Sequence, residues 1–83
     1  MENVIVRLYG LSEDKMEEVL GFCFTSGCEV NTEIDNAGFA IDKNDLEIVK
    51  GITGVDFNGD LILHTKKDLI TFSWCDVREI NIF

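Results

Sequence analysis

The stretch GVDFNGDLILHTKKDLITFSWCDVREINIF, residues 54–83, sets two turn signals between runs of β-forming residues. Asn58-Gly59 is a strong hairpin signal, because a two-residue loop needs the positive φ that Asn and Gly tolerate. TKKD at 65–68 supplies the second turn. With Lys66-Lys67 as its loop, Leu63 pairs with Ile70, Leu61 with Phe72 and His64 with Leu69. Side chains alternate along a strand, so Leu61, Leu63, Ile70, Phe72 and Trp74 share one face. Val55, Phe57, Ile62 and Leu69 fall on the other. The stretch predicts an antiparallel meander, and CDVREINIF (75–83) bends to add a last strand.

Working outward, NVIVRLY (3–9) reads as a strand with Val4, Val6 and Leu8 on one face. LSEDKMEEVLGFCFTSG (11–27) reads as a helix. Ser12 is its N-cap, Leu11 and Met16 suit a hydrophobic staple, and Gly27 ends it. Met16, Val19, Leu20, Cys23 and Phe24 form the expected core stripe at helical spacing. EVNTEID (29–35) alternates as a strand, and a loop at Asn36-Ala37 leads to GFAID (38–42), pairing Ile34 with Phe39 and Thr32 with Ile41. In NDLEIVKG (44–51), Asn44 and Glu47 make a capping box and Gly51 a stop, which predicts a short second helix. The expected fold class is α+β. Its architecture is an open-faced sandwich of β-α-β-β-α-β order, with two helices on one side of a mixed sheet and additional C-terminal antiparallel strands.

Eighty-three residues make one domain, 1–83, and a 46% hydrophobic share suffices for its core. No apolar run approaches the ~18 residues of a membrane span, and the N-terminus lacks the pattern of a signal peptide. The three cysteines are expected as reduced thiols in a cytoplasmic protein. A zinc site from Cys23, Cys28, His64 and Cys75 is not expected. Cys75 lies six residues along the strand from the partner of His64, ~20 Å away. Ser12 suits a cap better than a nucleophile, and no carboxylate is matched with a base. Phosphate-binding glycine motifs are missing. No enzyme, cofactor or metal is expected.

VIVRLYGL (4–11), GFAID (38–42) and ITGVDFNGDLIL (52–63) resemble the strand and loop phrases of an RNA recognition motif. That family stacks bases on aromatic rings of two central strands. Phe39 matches such a position, whereas Ile5 and Ile41 are aliphatic and the basic residue before Gly38-Phe39 is missing. GLSEDKMEEVLGFCFTSGCEVNTEID (10–35) is similar in spacing to the histidine-containing phosphocarriers. Ser12 stands where that family has its phosphorylated His and Asp14 where it has an Arg, so phosphocarrier activity is not implied. Membership of neither family follows.

Charge is the loudest compositional fact. The net charge is −9, and residues 1–47 hold eleven acids against Arg7, Lys15 and Lys43. Such a chain repels nucleic acid and anionic membranes and is steered toward basic proteins. The candidate partner-binding residues are Glu13, Asp14, Glu17 and Glu18 on the helix, Glu29, Glu33 and Asp35 in a row on the second strand, and Asp42, Asp45 and Glu47. Their bland alternative is a solvated face that keeps the chain soluble. Their sharper reading is phosphate mimicry, because an Arg fork accepts a carboxylate or a phosphate equally. The expected function is a non-catalytic inhibitor that occupies a basic, nucleic-acid-binding surface, in the manner of phage anti-host or anti-CRISPR proteins. One alternative is a regulatory or immunity-type module binding through the apolar sheet face. Another is a degenerate RNA-recognition-like module.

Overall fold

The computed structural model describes residues 3–51, 54–55 and 60–83. They form one helix and eight strands: β1 (Asn3–Tyr9), α1 (Glu13–Ser26), β2 (Val30–Thr32), β3 (Ala37–Asp42), β4 (Glu47–Lys50), β5 (Gly54–Val55), β6 (Asp60–His64), β7 (Leu69–Ser73) and β8 (Glu79–Ile82). The fold is α+β. Among the described residues the strands divide into a five-stranded sheet of order β2-β3-β1-β8-β5 and a three-stranded sheet of order β4-β6-β7. All their pairings are antiparallel, where a mixed sheet was expected.

Local signals fix α1. The Ser12 hydroxyl accepts the Lys15 N–H at 3.2 Å, so this residue is the N-cap. Gly27 ends the helix at φ 73°, with its N–H on the Phe24 carbonyl and the Cys28 N–H on the Cys23 carbonyl. The buried stripe differs from the expected one. Val19, Phe22 and Cys23 are buried, whereas Leu20 and Phe24 point outward. Phe22 meets Phe39 edge-on with centroids 6.0 Å apart. The Ser26 hydroxyl lies 3.1 Å from that of Thr65, and Lys15 reaches the Thr71 carbonyl at 2.8 Å. These anchors turn the 15-19-22-26 side of the helix inward.

One core joins the helix to both sheets. Val6, Leu8, Phe39, Ile41 and Ile80 come from the larger sheet, Leu61, Leu63, Ile70 and Phe72 from the smaller. The β6–β7 hairpin keeps the expected register: Leu61 opposite Phe72, Leu63 opposite Ile70 and His64 opposite Leu69. Thr65 organises its turn, accepting the Asp68 N–H at 3.2 Å and donating to the Asp68 carbonyl. The expected Asn58-Gly59 turn, Phe57 and the side chain of Val55 lie outside the described residues.

Three further expectations are corrected. Residues 47–50 form strand β4 and not a second helix, so the β-α-β-β-α-β order is not the one observed. Asp42 draws Asn44 into a turn, its carboxylate accepting the Asn44 N–H at 2.9 Å. Ile48 and Val49 are β-branched, and β6 offers the segment a ladder through Glu47, Ile48 and Lys50 that two isolated helical turns cannot match. Second, β2 pairs Val30 with Phe39 and Thr32 with Ala37, a slip of four residues that preserves the facing but removes Ile34 from the sheet. A two-residue loop of type I′ would force positive φ on Ala37. Instead Glu33 and Asn36 close a longer loop, Glu33 N–H to Asn36 O at 2.9 Å, and Ile34 is wholly exposed. Third, Trp74 leaves the core face. β7 ends at Ser73, and the Asp76 carboxylate accepts both the Ser73 N–H at 3.0 Å and its hydroxyl at 2.9 Å. That turn swings Trp74 into solvent at 69% exposure.

Candidate functional site

The sequence-predicted acids divide between the two ends of α1. Glu13 and Asp14 occupy the first turn of the helix, where its N-terminal dipole favours them. Glu17 and Glu18 follow on its exposed side. The β2–β3 loop is tied to this end, because the Leu11 N–H donates to the Asp35 carbonyl at 2.8 Å. Asp35, exposed, thereby stands beside the start of the helix, whereas Glu33, also exposed, lines a concavity with Arg7. Among the described residues Glu13, Asp14, Glu17, Glu33 and Asp35 form no ion pair. Lys15 does not offset them outwardly. Its side chain is 11% exposed and turns inward to Glu18, to Asp76 at 3.7 Å and to the Thr71 carbonyl. Glu13, Asp14, Glu17 and Asp35 are thus exposed carboxylates at one end of the helix without an ion-pair partner among the described residues.

The other acids lie toward the C-terminal end of the 14-residue helix, beside Ser26 and Gly27. Glu29, Asp42 and Asp45 line a groove of about 330 Å³ with Lys66 and Lys67. Asp45 pairs with Lys66 at 3.4 Å, and Glu47 with His64 at 3.6 Å. Opposite charges interleave here, so this end is close to balanced. Burial pushes the Cys28 thiol above its ordinary pKa, and the nearby Asp45 carboxylate adds to the rise. β2 spans Val30–Thr32 alone, so of the expected row Glu29 and Glu33 flank the strand and line one concavity with Arg7, while Asp35 lies beyond it in the loop.

A second concavity, of about 580 Å³, crosses the outer face of the larger sheet. Gly38 and Ala40 floor it, and Ile5, Arg7, Tyr9, Asn31 and Glu33 stand at its sides. Arg7 stacks over the Phe83 ring at 5.6 Å. The aromatic that carried the RNA-recognition resemblance is not on this face: Phe39 is 2% exposed and packed on Phe22. Ile41 is buried as well, so the base-stacking expectation loses its platform.

Ser12 is engaged as a cap, and His64 and Cys75 each have other neighbours. His64 Nδ1 faces Glu47, and Cys75 Sγ lies 3.1 Å from the Ser73 hydroxyl. Among the described residues no three His, Cys, Asp or Glu side chains converge as metal ligands. None of the described helices is long and apolar enough to cross a membrane. Sequence reasoning missed the exposed side chains Phe24, Leu20 and Trp74. For Trp74 the signal was present: Ser73 and Asp76, three apart, are a local turn pair. Comparison with family models, curated proteins and solved structures returns no match.

Proposed function

We propose that this chain is a small non-catalytic binding protein that inhibits a partner by occupying its basic, nucleic-acid-binding surface. The observation that carries the reading is the group of exposed acids Glu13, Asp14, Glu17 and Asp35 at the N-terminal end of α1, without an ion-pair partner among the described residues. Carboxylates on a rigid helix and a tethered loop offer Arg and Lys the acceptors that phosphates do. They also steer encounter with a cationic surface. The role is that of a cytoplasmic antagonist of nucleic-acid machinery, of the phage anti-host or anti-CRISPR kind. Glu29, Asp42, Asp45 and Glu47 contribute less, because bases stand among them.

The test is competition. Proteins retained on the immobilised chain are challenged with duplex DNA and with RNA. Nucleic acid should release them, and a chain carrying Glu13→Gln, Asp14→Asn, Glu17→Gln and Glu18→Gln should not retain them. Retention that survives both challenges overturns the proposal.

A second reading has its own observation. Trp74 at 69% and Leu69 at 55% exposure are apolar surface on the smaller sheet and its turn, which suits a regulatory or immunity-type module. Under that reading Trp74→Ala abolishes retention and the charge variant does not.

A further inference from the structure

Helix α1 turns two large apolar side chains to solvent that the core does not use. Phe24 is 89% exposed and Leu20 42%. Spaced i, i+4, they are neighbours on the helix surface. At about 100° per residue, Glu13, Glu17, Leu20 and Phe24 lie within an arc of about 60°, on a stripe about 16 Å long. The stripe faces away from the core, since Val19, Phe22 and Cys23 take the opposite side. Its N-terminal half is two carboxylates without an ion-pair partner among the described residues. Its C-terminal half is the apolar pair.

We infer that this stripe is a docking face for an apolar groove rimmed by Lys or Arg on another protein, with Phe24 as its anchor. The inference rests on the basic partner proposed above and states what that partner's surface must hold. Charge selects the occupant. A second copy docked parallel would set Glu13 and Glu17 against their own counterparts, and docked antiparallel it would bury them on Leu20 and Phe24. Like-charge contact and burial of unpaired carboxylates are both unfavourable. Nucleic acid and anionic lipid are repelled for the same reason. A groove with a cationic rim satisfies both halves, in the helix-in-groove mode that reads i, i+4 anchors. Exposed aromatics that fill a pocket carry a large share of such binding.

Two synthetic probes separate anchor from charge: polylysine, and an amphipathic Lys/Leu helical peptide with one apolar face. Each is titrated into the wild-type chain and into L20A/F24A and E13Q/E17Q, with amide shifts locating the contact. Equal thermal unfolding of the three proteins controls for folding. The peptide should shift amides along 13–24, and L20A/F24A should weaken it about tenfold or more. Polylysine should ignore L20A/F24A and weaken with E13Q/E17Q. Unchanged peptide affinity in L20A/F24A, or shifts that fall elsewhere, overturns the anchor. If neither probe responds to E13Q/E17Q, the basic rim fails, and the electrostatic function with it. A wild-type dimer that F24A dissolves makes the occupant a second copy and overturns the proposal.

Discussion

Phe72 and Trp74 sit two residues apart, on what alternation makes the same face, yet one is fully buried and the other is 69% exposed. Phe72→Ala should therefore cost about 3–5 kcal/mol in urea unfolding, and Trp74→Ala no more than about 0.5 kcal/mol. Periodicity alone cannot place Trp74, because it assumes that the strand continues past Ser73. The Asp76 carboxylate ends the strand instead. Gly51 is a second position where backbone geometry decides. At φ 139° an added Cβ would run into the Asp60 carbonyl oxygen, main chain that cannot swing aside. Gly51→Ala should lose more than about 1 kcal/mol of stability by the same measurement. Cys23 adds a pH dependence. Burial, and next the charge of Cys28, raise its thiol from the ordinary 9.0 to about 12. The unfolded chain ionises at the lower value and the folded chain at the higher, so stability is intact below 9.0 and falls as pH rises toward 12. Cys23→Ala should flatten that part of the stability curve.

At the scale of elements, the signals read correctly are those whose partners lie within a few residues: the Ser12 cap, the Gly27 stop and the Lys66-Lys67 turn. The capping box at Asn44 and Glu47 failed because it is also local, and a nearer local bond, from Asp42, competes for Asn44. A strand can then form on β6, with a register shift between Ile48 and Lys50 that bends the outer strand. At the other side of this sheet, β7 has an outer strand edge facing α1. Lys15 covers it by donating to the Thr71 carbonyl while its ammonium lies 5.8 Å from the Phe72 ring centroid. Lys15→Met keeps the apolar stem but leaves that carbonyl without its donor and removes the cation beside the Asp76 carboxylate. It should cost about 1–3 kcal/mol in thermal or urea unfolding, and raise the tendency to associate through β7 in sedimentation.

At the scale of the molecule, the division into two sheets was not legible. β1 lies between β3 and β8, so the first and last strands are hydrogen-bonded neighbours. Phe83 N–H donates to the Ile5 carbonyl at 2.9 Å. No pattern within a short window reports a pairing across that span, which is why the hairpins could be read and their assembly could not. The same holds for the candidate site: the excess of acid was visible, but its gathering at one end of α1 depends on the contact of Leu11 with Asp35. Deleting residues 79–83 removes an interior strand with its buried Ile80, and the shortened chain should lose cooperative unfolding altogether. The three thiols grade this same architecture by depth, with Cys75 exposed, Cys28 partly covered and Cys23 fully enclosed. A maleimide reagent should modify Cys75 within the native state, Cys28 more slowly, and Cys23 only when the whole core opens. Mass spectrometry of the triply labelled species then acts as a built-in stopwatch for global opening, with no probe added to the chain.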